Sequence, residues 1–77
     1  MKDCYIPKTL EQKLGYLEEE CGELISALGK TARWGLGSYN PEIPPAERIT
    51  NKEWILQEII DVERAIKFIR EEFNAHP

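Results

Sequence analysis

Two apolar rows with the same alternating spacing run through this sequence and constrain its fold more than any other feature. Each row advances by 4, 3, 4, 3 and 4 residues. The leucine row comprises Leu10, Leu14, Leu17, Cys21, Leu24 and Leu28, and the isoleucine row comprises Ile55, Ile59, Val62, Ile66, Ile69 and Phe73. Because this spacing returns side chains to one face of an α-helix, the two rows predict two long amphipathic helices.

Start and stop signals bound both helices. Thr9 is followed three residues later by Gln12, and Thr50 is followed three residues later by Glu53, which is the spacing of a capping box. Glycines and prolines fill the segment 35–50, where a continuous helix is implausible. We therefore expect an all-α fold: a single domain, 1–77, forming a long antiparallel hairpin of helices at about 9–35 and 51–73. One short helical turn fits the Pro-Pro-Ala-Glu-Arg stretch within the connection.

The narrowness of the apolar rows predicts an assembly of more than one chain. A chain of 77 residues buries only about 60% of its unfolded surface. Two antiparallel helices cannot cover both rows and their flanks alone. A four-helix bundle, formed by a homodimer or a homotetramer, is the economical solution.

Composition excludes several classes of function. The net charge of -4 argues against nucleic acid as the main partner, and no apolar stretch approaches the length of a signal peptide or a membrane span. Cys4 and Cys21 are too few for a disulfide scaffold, and with His76 as the single histidine a zinc site is not expected. We expect a soluble cytoplasmic protein without membrane or nucleic-acid partners.

A second row on each helix carries acidic and aromatic side chains together. It lies about 80 to 120° from the leucine or isoleucine row. On the first helix it contains Tyr16, Glu20, Glu23, Ala27, Lys30 and Trp34, and on the second Trp54, Glu58, Asp61, Ala65 and Phe68. Solvated acidic helix faces usually interleave with lysine rather than with aromatic residues. The rows therefore indicate an internal site, to which the small Ala27 and Ala65 would leave access.

Paired carboxylates on both helices predict a divalent-cation site. Glu20 and Glu23 lie three residues apart, as do Glu58 and Asp61, and like charges at this spacing repel unless a cation lies between them. Carboxylate oxygens are the ligands of hard cations such as Mg²⁺, for which Mn²⁺ can substitute. Four carboxylates suggest two or more ions bridged by a phosphate-bearing ligand. A di-iron bundle would need internal histidines, which the sequence lacks.

The acidic motifs resemble those of a known family. Glu19-Glu20-Cys21-Gly22-Glu23 followed by Glu58-Ile59-Ile60-Asp61 resembles the signature of the MazG-like all-α nucleoside triphosphate pyrophosphohydrolases, over about residues 10–73. The resemblance implies Mg²⁺-dependent cleavage between the α and β phosphates, giving a nucleoside monophosphate and pyrophosphate. It implies the metal ligands Glu20, Glu23, Glu58 and Asp61.

The resemblance also suggests catalytic roles for Glu19 and Glu20. The side chain of Glu19 points about 100° from that of Glu20 on a helix. Whether Glu19 orients the attacking water, holds a further ion or faces solvent stays open.

Basic and aromatic residues beyond the acids are candidates for substrate binding. Lys30 and Arg33 would hold the outer phosphates, or would complement the dipole at the end of the helix. Tyr16, Trp34 and Trp54 could stack on the base, although packing in a core or an interface is the more common role of such residues. These five residues are the candidate substrate-binding set.

Two departures from the family pattern bear on the assembly. The 34 residues between Glu23 and Glu58 are more than is usual for the family, and the sequence ends soon after the second helix. A pocket completed by another subunit is therefore expected. Related phosphoribosyl-ATP pyrophosphohydrolases share the architecture, so that activity is an alternative, as is a non-catalytic helical dimerisation or regulatory module.

Overall fold

The chain forms a hairpin of two helices. The computed structural model describes residues 5–77, so Cys4 lies outside the described residues. Helix α1 spans Leu10–Trp34, a short 3-10 helix spans Pro45–Glu47 and helix α2 spans Asn51–Ala75. No strand occurs among residues 5–77. The predicted all-α hairpin, including the helical turn within the connection, is therefore confirmed.

Capping boxes begin both helices, as their sequences predict. The Thr9 hydroxyl accepts a 3.1 Å hydrogen bond from the Gln12 N–H, and the Thr50 hydroxyl accepts one of 3.2 Å from the Glu53 N–H. Both boxes are reciprocal, since the Thr9 N–H donates to Gln12 Oε1 at 3.4 Å and the Thr50 N–H donates to Glu53 Oε1 at 3.0 Å. In the second box the donor is the Thr50 backbone. This backbone hydrogen bond favours the ionised carboxylate and lowers the pKa of Glu53 below its usual range.

The helix ends follow from local chemistry. At the end of α1, Gly35 adopts a positive φ of 94° while its N–H still donates to the carbonyl of Thr31. Glycine takes this conformation without the steric cost of a Cβ. Helix α2 extends two residues beyond the predicted end at 73, to Ala75, because nothing before Pro77 interrupts the pattern and His76 N–H still reaches the Glu72 carbonyl.

The acidic and aromatic rows form the contact between the helices. Tyr16, Glu20 and Ala27 are the buried residues of α1, and Asn51, Glu58 and Ala65 are those of α2. Ala27 and Ala65 are both 0% exposed. They allow close approach of the helices rather than leaving an opening at the surface, which corrects the expectation drawn from their size.

The leucine and isoleucine rows remain partly uncovered. Leu14 is 46% exposed, Leu28 is 48% exposed and Phe73 is 54% exposed, while Cys21 is half-buried. At 100° per residue, both rows are displaced from the interhelical contact in the same rotational sense. Because the helices are antiparallel, the two rows lie on one broad face of the hairpin. We call this surface the apolar face; with a thickness of only 15 Å, the hairpin is a single layer of helices.

Backbone hydrogen bonds close the connection at its base. The Asn51 N–H donates to the Ser38 carbonyl at 2.8 Å, and the Lys52 N–H donates to the Leu36 carbonyl at 3.0 Å. The Asn51 side-chain amide adds a 2.9 Å hydrogen bond to the Gly35 carbonyl. These contacts hold the end of α1 against the start of α2.

Arg48 organises the remainder of the connection. Its guanidinium donates to the carbonyls of Ile43 and Pro41, at 2.7 and 2.9 Å, and lies 4.6 Å from the centroid of the Tyr39 ring. One cation thereby fixes two backbone carbonyls and one aromatic ring.

Side-chain contacts at the open end of the hairpin join α1 to α2 and to the preceding segment. The Arg64 guanidinium donates to the Tyr16 hydroxyl at 2.7 Å and to the Tyr5 carbonyl at 2.8 Å.

Within the described residues, neither helix is apolar and long enough to cross a lipid bilayer.

Candidate metal centre and adjoining cavity

Carboxylates from the two helices converge in the middle of the hairpin. Glu20, Glu58 and Asp61 each place an oxygen within 4.8 Å of the other two. Glu20 is 0% exposed, Glu58 is 7% exposed and Asp61 is half-buried. The hairpin thus brings together three of the four acids that the sequence predicts as metal ligands.

Glu23 belongs to a second, overlapping group. Glu19, Glu20 and Glu23 also place oxygens within 4.8 Å of one another. Glu20 is shared by the two groups, so the acids form a pair of adjoining clusters rather than a single one. Glu19 is exposed but reaches the group, because a glutamate side chain is long enough to offset the 100° between neighbouring helical positions.

The donor set fits a hard divalent cation. Every group consists of carboxylates, which are the ligands that hard cations prefer, and with their oxygens within 4.8 Å of one another Glu20, Glu58 and Asp61 would hold such an ion together. Two carboxylates 4.8 Å apart repel by roughly 3 to 4 kcal/mol at an effective dielectric constant near 20. A bound cation would offset this repulsion. The role of Glu20, Glu23, Glu58 and Asp61 as metal ligands remains a prediction.

Trp54 contacts the group formed by Glu20, Glu58 and Asp61, which we call the acidic cluster. Its indole N–H donates a 3.0 Å hydrogen bond to Glu58 Oε2, while Glu58 Oε1 is buried. The Lys30 ammonium lies 5.5 Å from the centroid of the indole ring. The sequence places Trp54 and Glu58 in one row but does not by itself predict this hydrogen bond. The signal for it is their four-residue separation, at which side chains on a helix can contact each other.

A cavity of about 860 Å³ lies where the end of α1, the connection and the start of α2 meet. Its aromatic walls are Trp34, Tyr39 and Trp54, and Lys30 and Asn51 are among its polar lining residues. The volume falls within the 300 to 1,000 Å³ typical of small-molecule sites. Trp54 therefore lies between the cavity and the acidic cluster.

A smaller depression of about 270 Å³ adjoins the end of α1. Lys30, Arg33 and Trp34 line it, and all three side chains are exposed. Lys30 and Trp34 line both recesses, whereas Arg33 lines the smaller one. The predicted phosphate-binding cations thus lie on the same side of the hairpin as the large cavity.

Tyr16 lies at the opposite end of the acidic cluster. It is 5% exposed, its ring centroid is 5.1 Å from that of Tyr5 and 6.2 Å from that of Phe68, and its hydroxyl accepts the hydrogen bond from Arg64. Tyr16 does not line the large cavity. Of the predicted substrate-binding aromatics, the structure places Trp34 and Trp54 in the cavity walls and Tyr16 in the core.

Comparison of this chain with models of protein families, with curated proteins and with solved structures found no match. The resemblance to MazG-like pyrophosphohydrolases therefore depends on the signature acids of the sequence alone.

Proposed function

We propose that this protein is a metal-dependent nucleoside triphosphate pyrophosphohydrolase. Its reaction would convert a ribo- or deoxyribonucleoside triphosphate and water to the monophosphate and pyrophosphate, with Mg²⁺ or Mn²⁺ as cofactor. The observation that carries the proposal is the convergence of Glu20, Glu58 and Asp61, from two helices, beside an aromatic-walled cavity.

The acids have distinct proposed roles. Glu20, Glu58 and Asp61 hold one divalent ion, and Glu23 with Glu20 holds a second. When bound, such ions neutralise phosphate oxygens and lower the pKa of water. Glu19, exposed beside Glu20 and Glu23, accepts a hydrogen bond from the attacking water and orients it in line with the pyrophosphate leaving group.

The cavity accommodates the base in this proposal. Trp34 and Trp54 offer aromatic faces for stacking, and Lys30, which lines the cavity and lies over the Trp54 ring, is a partner for phosphate oxygens. The start of α2 is not the phosphate site, because the N–H groups of Asn51 and Lys52 already donate to carbonyls of the connection. Phosphate charge is instead met by Lys30, Arg33 and the metal site.

A homodimer that forms a four-helix bundle completes the proposal. The accessible surface is 5835 Å², whereas a folded monomer of 8.9 kDa exposes about 4,800 Å². The excess of about 1,000 Å² is comparable to the roughly 800 Å² that each partner buries in a standard interface. We assign this area to the apolar face, since a second hairpin packed there would cover both of its rows.

Pyrophosphate release tests the proposed activity. Purified protein is incubated with Mg²⁺ and a panel of natural and modified nucleoside triphosphates, and the nucleotide products are separated by chromatography. We expect equal amounts of monophosphate and pyrophosphate from at least one substrate, and none after chelation with EDTA. Release of inorganic phosphate and diphosphate nucleotide would contradict cleavage at the α–β bond.

The apolar face also favours a second candidate, a non-catalytic helical dimerisation module. In that case the acidic clusters would serve only solubility or contact with a basic partner. The same assay separates the two functions: absence of turnover across the whole panel, with thermal stability unchanged by EDTA or by added Mg²⁺, would favour the module.

A further inference from the structure

We infer that Trp54 is a positioning residue for the metal site, acting through Glu58. The inference rests on the proposed function, because it assigns Glu58 to a bound divalent cation. It goes beyond the stacking role predicted for Trp54, since it concerns the indole N–H rather than the ring face.

The hydrogen bond from Trp54 fixes one oxygen of the Glu58 carboxylate. The indole N–H donates to Oε2 at 3.0 Å, and both residues extend from the same face of α2, one turn apart. With Oε2 held toward Trp54, the buried Oε1 would be the oxygen that binds a cation. Hydrogen bonds of this kind, made to a ligand rather than to the metal, fix the orientation of ligating carboxylates.

Indole suits this role because it is only a donor. An indole N–H has no lone pair with which to bind a cation and cannot accept a proton from the carboxyl group. Its hydrogen bond therefore sets the direction of the Glu58 carboxylate, and the indole itself does not compete for the cation. A serine or asparagine at this position would also offer an acceptor and would not impose the same direction.

The surroundings of the indole hold it in place. Trp54 is half-buried, and the Lys30 ammonium lies 5.5 Å from its ring centroid. Lys30 belongs to α1 and Trp54 to α2, so this cation–π contact spans the hairpin. The ring faces the cavity and its N–H faces the acidic cluster, so one side chain serves both parts of the site.

The test removes the N–H and keeps the ring. In the full chain carrying Trp34→Phe, Trp54 is replaced by benzothienylalanine, in which sulfur takes the place of the indole N–H. Mn²⁺ affinity is measured by titration calorimetry and by electron paramagnetic resonance of free Mn²⁺. The same measurements are made on the Trp34→Phe protein that retains Trp54. Circular dichroism and the urea midpoint monitor the fold of these two proteins. We expect roughly tenfold or greater loss of Mn²⁺ affinity with an unchanged fold.

Fluorescence provides a second readout. With Trp34→Phe, Trp54 is the one remaining tryptophan of the two in the sequence. Diamagnetic Mg²⁺ should shift its emission, because a cation on Glu58 changes the electric field at the indole that donates to this carboxylate. The Trp34→Phe,Glu58→Gln variant should show no such shift.

The outcomes separate this inference from the proposed function. Equal Mn²⁺ affinity of the tryptophan and benzothienylalanine proteins would overturn the role of Trp54 while leaving the metal site intact. Failure of both proteins, and of the wild type, to bind Mn²⁺ would overturn the metal site and the inference together. Loss of affinity confined to the benzothienylalanine protein supports the inference.

Discussion

Lys13 and Glu72 form an ion pair across the open end of the hairpin, with 2.6 Å between Nζ and Oε1. The Lys30 ammonium over Trp54 makes the equivalent cross-helix contact at the closed end. Between these two contacts the acidic row of α1 is held opposite that of α2. The register of the hairpin thus brings Glu20 together with its partners on α2.

The Lys13–Glu72 pair should make stability depend on pH in the acid range. The hydrogen bond from Lys13 lowers the pKa of Glu72 below its usual range. A group whose pKa is lowered by folding stabilises the native state above its unfolded pKa, and this contribution is lost as pH falls through the folded value. We expect Lys13→Met to lower the urea midpoint at pH 7.

At a pH below the carboxyl range, Lys13→Met and wild type should have similar urea midpoints, since Glu72 is then protonated in both states. Lys67→Met is the control, because Lys67 is exposed on α2 and makes no contact with Glu72 among those described. A midpoint difference for Lys13→Met that persists unchanged at pH 3 would contradict this assignment.

Removing one charge from the acidic cluster should have opposite effects on activity and stability. We expect Asp61→Asn to lower pyrophosphohydrolase activity by at least about a hundredfold, since the neutral amide is a weaker ligand. In EDTA the same variant should be more stable, by up to roughly 3 kcal/mol at an effective dielectric constant near 20, because repulsion among neighbouring carboxylates is relieved. Steady-state kinetics and urea denaturation measure the two effects.

Glu63→Gln is the matched control for Asp61→Asn. Glu63 is exposed on the same helix and lies outside both acidic groups. It should retain wild-type activity and stability. With Mn²⁺ at 100 times its dissociation constant, wild type and Glu63→Gln should gain about 2.7 kcal/mol of stability. An equal gain for Asp61→Asn would show that the ion binds elsewhere.

The alanines between the helices should not tolerate larger side chains. Ala65 is completely buried at the contact, so Ala65→Leu should force the helices apart and lower the free energy of unfolding by about 1 to 3 kcal/mol. Ala32→Leu on exposed α1 surface should change it by about 0.5 kcal/mol or less. Urea denaturation measures the free energy of unfolding of both variants. An equal decrease for Ala65→Leu and Ala32→Leu would contradict the observed packing.

The apolar face should mediate self-association. Sedimentation is expected to show a dimer at micromolar concentration, and Leu14→Lys should weaken dimerisation at least tenfold by burying a charge in the interface. Leu56→Lys is the control, since Leu56 is 52% exposed but lies about 100° from the isoleucine row. A wild-type protein that stays monomeric would contradict the four-helix bundle.

The sequence predicts the two helices and their connection, but it does not predict which face of each helix packs against the other helix. Capping boxes and the 4-3 spacing act locally, so the helix starts followed directly from Thr9 and Thr50. The same spacing gives the angle between two rows on a helix but does not determine which row meets the neighbouring helix. Here the row containing Ala27 and Ala65 does so, since small side chains permit the closest approach.

The cavity could not be predicted because its walls depend on backbone carbonyls. Arg48 binds the carbonyls of Pro41 and Ile43 and supports Tyr39, and carbonyls carry no sequence signal. The Trp54–Glu58 hydrogen bond likewise depends on side-chain rotamers that spacing alone does not determine. Sequence reasoning therefore identified Trp54 without identifying the atom through which it acts.

Anomalous diffraction from crystals grown with Mn²⁺ and a non-hydrolysable nucleoside triphosphate analogue tests the central claim most directly. We expect an anomalous peak among the carboxylate oxygens of Glu20, Glu58 and Asp61, with the analogue's phosphates beside it. A map without a peak between these side chains, although the analogue is bound, would contradict it.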